Sequence, residues 1–466
     1  MQLPETTTAP HKVQQKRLGK PGIWFHILSA FFGIYFIYLF APLLGPTATF
    51  IGFDTILAFY LFSLFNGKIR YLFLLHPLFV FVSSFLFGMP YDQIGSSYTY
   101  LFNVNKFIDP DTLVINTPLL IATFITNLWS MGRGGVYLGT LYIILFPRYL
   151  FDEVPAIVNY YSLSTFTMLY ATIGVTAGIM LGSIRKELLL VIALYTTVAP
   201  TFLEINSSLH RYGLMVLGLW LFIEGYMGFL HFFSVKRKII LLMTIVTGLA
   251  LVFVSKPALL LSMALFMILE RFSANQLPFI SKLFVKSKRH YQILLLLAGL
   301  VLFQLTGQLV GPGEYTKGAS QGGAGGQFLG IANLPAIGII LRLLYAALSP
   351  FPWLGFDQWD IYGYNGLFLV LHLFSSLLAI WMLMSLIRRL PAIVNDDDEI
   401  RVLAMFGISL LLSLTFSAIG FHVYLAPALP FLSVVLLRRR TRTPWHHAAG
   451  FVIFMEVLAQ ISRFAK

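Results

Sequence analysis

The feature that most constrains this chain is the length of its apolar runs. Residues 239–272 read as one run of 34, interrupted at Ser255-Lys256-Pro257, and comparable runs recur from residue 23 almost to the end. A run near 20 residues without charge is what a helix needs to cross a hydrocarbon layer about 30 Å thick. Barrel strands would instead alternate polar and apolar residues, and these runs do not alternate. Only 11% of the 466 residues are charged and 58% are apolar. Soluble domains carry about 25% charged residues, so a water-soluble globule is excluded, and so is disorder, which needs low hydrophobicity and high charge. The expectation is an all-α polytopic membrane protein.

The runs divide into about fourteen spans, at 23–44, 48–65, 71–88, 117–132, 135–150, 162–183, 187–203, 212–233, 239–254, 258–271, 292–310, 363–387, 402–421 and 423–437. A polar and then basic tail, 1–22, precedes this helical domain (23–437). The run that follows it is too long for a cleavable signal peptide. A basic tail, 438–466, ends the chain, and its Trp445–Lys466 stretch, with Glu456 in apolar sequence, fits a helix lying in the interface.

Basic residues fix the orientation. With the N-terminus in the cytoplasm and alternating spans, Lys106, Arg148, Arg211, Lys256, Lys317 and Arg342 fall outside. The other 26 of the 32 Lys and Arg fall inside, a strong positive-inside bias. The same bias makes 239–272 cross twice, because basic clusters flank it on both sides; Lys256 then marks the outer tip. Two outer loops are long, 89–116 and 311–362. The second is glycine-rich at its start (Gly322-Gly323-Ala324-Gly325-Gly326), which reads as flexible. A net charge of +13 is met by anionic lipid at the inner surface, and no folded module for nucleic acid is evident.

Cysteine is absent, which excludes disulfides, thiolate metal sites and thiol nucleophiles. No phosphate-cradling glycine loop is found, so ATP hydrolysis is not expected. The run Asp396-Asp397-Asp398-Glu399 reads as a solvated cytoplasmic turn and not as a metal site.

The outward cations are the informative minority. A charge beside a span is costly and is usually kept for a partner or a pathway. Arg148, Arg211, Lys256 and Arg342 share one membrane level; if they converge they suit a lipid phosphate or diphosphate, which guanidinium binds bidentately. Each also has a plainer reading. Arg211 could snorkel to the interface, Lys256 could end a hairpin, and Arg148 has Asp152 and Glu153 nearby for a local ion pair. His422, between two spans, is a candidate general base, with Glu204 and His210 beside Arg211 as further candidates. Asp357, Trp359, Asp360 and Tyr362 lie in an aromatic stretch, 353–364, where rings stack on sugars and acids hold hydroxyls; an ordinary interfacial aromatic belt is the alternative.

At these basic residues the chain resembles the bacterial O-antigen and exopolysaccharide polymerases of the Wzy type, relatives of the O-antigen ligases and similar to membrane glycosyltransferases of the GT-C kind. Ser255-Lys256-Pro257-Ala258-Leu259-Leu260 is similar to the Ser-Arg-small-apolar start of a span in that family, with Lys in place of Arg. Arg342 stands where those proteins have a loop arginine for the lipid diphosphate. Trp353 occupies the place of the glycine that follows this arginine in some polymerases, and the nearest glycine is Gly355. The resemblance implies glycosyl transfer from polyprenyl diphosphate to a sugar hydroxyl of a lipid-linked repeat unit, at the outer face of the bacterial inner membrane. It implies no metal or other cofactor, and a chain-length regulator and a flippase as partners. Two rival readings remain. One is a metal-dependent glycosyltransferase using a polyprenyl-phosphate sugar, though the first outer loop, Gly45-Pro46-Thr47, has no acid. The other is a transporter of lipid-linked oligosaccharide, for which the spans offer few ionisable residues beyond Glu224 and Asp54.

Overall fold

A computed structural model describes residues 51–79, 82, 160–205, 212–231, 234–255, 259–273, 366–390, 393, 397–417, 425–437 and 443–464. Every regular element among them is helical, and none is a strand. In chain order they are α1 (51–64), a 3-10 segment (Lys68–Leu74), α2 (Tyr160–Leu181), α3 (Lys186–Val198), α4 (Pro200–Ile205), α5 (Tyr212–His231), α6 (Val235–Ser255), α7 (Leu259–Ser273), α8 (Gly366–Arg389), α9 (Asp398–Ser417), α10 (Leu429–Leu432), a second 3-10 segment (Ser433–Leu437) and α11 (Trp445–Phe464). The sequence expectation of an all-α chain therefore holds for the described residues. The spans at 23–44, 117–132, 135–150 and 292–310 and both long outer loops lie outside them.

Three predicted spans take a different form. The stretch 187–203 divides into α3 and α4 at Ala199-Pro200. A residue before proline is pushed out of the helical region, and Ala199 sits at φ −64°, ψ 141°. Pro200 then opens α4, where its missing N–H costs nothing. In the stretch 423–437 the described residues, 425–437, form not one helix but a turn, a four-residue helix and a 3-10 segment. Pro427 and Pro430 each remove a backbone donor, so a continuous ladder cannot form there. The stretch 71–88 starts inside the first 3-10 segment. Among the described residues no helix is both long and apolar enough to cross a membrane. Charges occupy several helix ends: Lys236, Arg237 and Lys238 open α6, Arg388 and Arg389 close α8, and Asp398, Glu399 and Arg401 begin α9.

The tightest contact in the bundle is between α5 and α6, which are antiparallel. A side chain on Gly218 would meet the Gly248 carbonyl at 2.9 Å, and one on Gly248 would meet the Phe222 backbone nitrogen at 2.6 Å. Small residues let two helix backbones approach this closely. Around this pair Phe222, Phe266, Phe406 and Phe431 form a chain of tilted and edge-to-face rings linking α5, α7, α9 and α10. Phe266–Phe406 and Phe406–Phe431 centroids are 5.0 and 4.9 Å apart.

Several direct contacts gather helix ends at one pole. Arg237 Nη2 donates to the Leu181 carbonyl, and Lys186 Nζ donates to the Leu64 carbonyl. Arg185 Nη2 and Nε donate to Asp397 and Glu399, each at 2.9 Å, and Trp381 Nε1 donates to the Thr443 carbonyl beyond the end of α8. Gly182 makes the first of these turns possible: it ends α2 at φ +61°, which favours glycine, and its N–H donates to the Gly178 carbonyl. Lys68, Arg70, Arg185, Lys186, Lys236, Arg237, Lys238, Arg388 and Arg401 thus belong to one pole. The opposite pole is formed by Ile205, Tyr212, Ser255, Leu259 and Ser417, at the far ends of α4, α5, α6, α7 and α9.

Candidate functional site

Of the residues expected to carry function, Glu204 lies in α4, and only its backbone is described. His210, Arg211, Lys256, Arg342, Asp357, Trp359, Asp360, Tyr362 and His422 lie outside the described residues. Glu204, His210, Arg211, Lys256 and His422 are nonetheless sequence neighbours of helix ends at the pole away from the basic cluster. Beside that pole, Tyr170, Phe202, Gly213, Trp220, Thr167 and Thr196 line a cavity of about 10 Å³, room for a single water. The approach there is close, since a side chain on Gly213 would meet the Tyr170 ring at 2.8 Å.

The strongest polar chemistry among the described residues lies inside the bundle. Asp54 on α1 and His76 in the helical residues 75–79 are 1% and 0% exposed, and Asp54 Oδ2 is 2.8 Å from His76 Nδ1. The link between their segments is held by Arg70, which folds back to donate to the Phe65 carbonyl and lies over the Phe62 ring at 4.1 Å. The carboxyl and the ring share this one hydrogen bond. That leaves His76 Nε2 and Asp54 Oδ1, both buried and both without a hydrogen-bond partner. Phe53, Leu57 and Phe73 belong to the same buried cluster.

Two further buried carboxyls follow another pattern. Trp220 Nε1 donates to Glu224 Oε1 at 2.6 Å, one helical turn along α5, while Glu224 Oε2 is unpartnered. Tyr226 donates to Glu270 at 2.8 Å, tying α5 to α7. Here an indole or a phenol orients the acid; at Asp54 an imidazole, able to take up a proton, is the partner. Among the described residues, no cluster of three or more His, Asp or Glu side chains could hold a metal ion.

At the basic pole the acidic run is bound to arginines. Asp397 Oδ2 and Glu399 Oε2 both accept from Arg185, Asp397 Oδ1 caps the Ile400 N–H at the start of α9, and Arg401 bridges to Asp398 at 2.7 Å. Partial burial works against the Arg185 charge, but hydrogen bonds and charges from the two carboxylates outweigh it and hold its pKa above the usual arginine value.

The sequence reading passed over His76, Trp220 and Glu270. A signal was present: an isolated acid in one apolar run and an isolated histidine in the next each require a partner in a dry interior. No family model, no curated protein and no solved structure matches the chain.

Proposed function

We propose that the chain is a multi-pass membrane glycosyltransferase of the polysaccharide-polymerase kind, acting at the outer face of a bacterial inner membrane with its N-terminus in the cytoplasm. The observation that carries this reading is the polarity of the bundle. Contacts from Lys186, Arg185 and Arg237 draw basic helix ends to one pole, as the positive-inside rule requires of a cytoplasmic face. The residues that neighbour the other pole in sequence are the sparse outward cations and candidate bases. The outward face of the helices supports embedding. Ile239, Ile240, Met243 and Val246 of α6 and Leu261 and Ile268 of α7 are half or more exposed, an apolar surface that water does not favour but lipid does.

In this reading Arg211, Lys256 and Arg342 hold the diphosphate of a polyprenyl-linked glycan, and their charge stabilises it as it leaves. His422, Glu204 or His210 takes the acceptor proton, while Asp357, Trp359, Asp360 and Tyr362 hold sugar. The substrates are lipid-linked repeat units, with a chain-length regulator and a flippase as partners. The test is full-length protein in liposomes with synthetic lipid-linked repeat units, read as a gel ladder. Wild type builds a ladder, and Arg211→Ala and Arg342→Ala lose it while remaining folded. Transport of the lipid-linked glycan between leaflets without any new glycosidic bond overturns the polymerase reading.

One observation favours transport as the second reading. Asp54, His76 and Glu224 are ionisable groups buried in the interior, where transporters place their binding and relay residues.

A further inference from the structure

The cations of the basic pole are not neutralised alike. Arg185 is held by Asp397 and Glu399, and Arg401 by Asp398. The start of α6 carries three consecutive cations, Lys236, Arg237 and Lys238, and its first turn holds no acid. The first peptide units of a helix already present partial positive charge, so cations there are repelled unless an anion is supplied. Two of the three are fixed in place. Arg237 Nη2 donates to the Leu181 carbonyl at the end of α2, and Lys238 Nζ lies 5.4 Å from the centre of the Phe229 ring on α5. Lys236 is exposed and meets no carboxylate among the described residues. Below Lys236 the same helix face is apolar. Ile239, Ile240 and Met243 follow it at the spacing that stacks side chains on one face, and they are 57%, 57% and 61% exposed. Val246, Thr247 and Ala250 continue the exposed stripe, and Val252 beyond it is buried. From Ile239 to Ala250 a helix rises about 16 Å, close to the depth of one leaflet in a hydrocarbon core about 30 Å thick.

From this arrangement we infer that the first half of α6 is a binding site for an anionic phospholipid of the inner leaflet. Lys236, Arg237 and Lys238 hold the headgroup phosphate, the guanidinium as a fork of donors and the ammonium groups as point charges. An acyl chain lies along Ile239, Ile240, Met243 and Val246. The lipid thus supplies at α6 the anion that Arg185 obtains from within the chain. Charge complementarity selects this occupant. A zwitterionic headgroup brings its own cation and is attracted less. A second copy inserted the same way, pairing through the same patch, would set one cluster of three cations against another. The site rests on the embedded orientation in the proposed function and on none of its transfer chemistry.

The test exploits the absence of cysteine from the chain. Full-length protein with Met243→Cys carries one fluorophore on the exposed stripe, in vesicles holding phosphatidylglycerol or phosphatidylcholine with brominated chains, which quench on contact. At equal mole fraction phosphatidylglycerol is expected to quench more strongly. Lys236 is exposed, so Lys236→Gln leaves the fold intact; it should lower the relative affinity for phosphatidylglycerol roughly five-fold, and adding Arg237→Gln and Lys238→Gln should bring the loss to about a hundredfold. Arg185→Gln removes a charge from the same pole and should change the preference little. Equal quenching by the two lipids, or a preference that survives the triple substitution, overturns the lipid site. So does loss of the preference on adding inorganic phosphate, which would mean that the anion binds without the stripe. Disulfide formation between unlabelled Met243→Cys chains in place of quenching gives the stripe to a second copy and also overturns it. Quenching by neither lipid takes α6 out of the bilayer, and both the lipid site and the embedded orientation fall. Failure of the gel ladder with the lipid preference intact would overturn the polymerase reading alone.

Discussion

The interior pairs and the clasp at the basic pole use the same residue chemistry in opposite surroundings. Asp54 and His76 are almost wholly buried and share one hydrogen bond, with a polar atom unmet on each. Arg185, Asp397 and Glu399 share several, yet the Arg185 side chain is 48% exposed. Solvent reaches and screens the second group, whereas side chains close over the first. The clasp therefore contributes little stability however well formed it is, whereas loss of either interior partner strands a polar group with no substitute. Number of contacts is a poor guide here; surroundings decide which contacts matter.

Five substitutions would break or sharpen that contrast. Phe406→Ala empties the meeting point of Phe222, Phe266 and Phe431 and should cost about 3–5 kcal/mol, seen in denaturant unfolding in detergent micelles. Asp54→Leu leaves the His76 ring without its hydrogen-bond partner and should cost about 1–3 kcal/mol. Adding His76→Leu should recover part of that loss; a double variant as unstable as the sum of the two singles would mean that the pair is not coupled. Trp220→Phe removes the indole donor from Glu224 and should cost about 1–3 kcal/mol, measured as a shift in Tm. Arg185→Gln should cost at most about 1 kcal/mol, and the difference from wild type should fade as salt rises. The Arg185 pKa is raised, so its stabilisation is fully present below the ordinary arginine value and is lost only as pH climbs through the folded one. Moving from pH 7 to pH 9 should therefore leave the effect of Arg185→Gln unchanged.

Helix as the sole regular element among the described residues was legible in the sequence, because the runs are too long and too uniform for strands. Helix starts were legible to within a few residues where charge marks them: α3 begins at Lys186 and α5 at Tyr212, against expected starts at 187 and 212. The breaks were less so. Pro200, Pro427 and Pro430 are visible, but hydropathy averages across them, whereas the backbone responds to each missing donor. The residues expected to carry function lie beyond the described residues, apart from the backbone of Glu204. The Asp54–His76 pairing could not be read directly, since hydropathy scores each residue against lipid and carries no term for two polar groups meeting. What could have pointed to it was the isolation of both residues in apolar sequence.

The close approach of α5 and α6 has a mechanical consequence. With Gly218 and Gly248 seated against the opposing backbones, neither helix can roll or slide against the other without collision, so the two behave as one slab. Any relative motion within the bundle must be absorbed elsewhere. Ala199-Pro200 is no loose joint: the Phe202 and Leu203 N–H groups bond back across the proline to the Ala199 carbonyl, and the Tyr195 and Phe202 rings pack edge to face across the break.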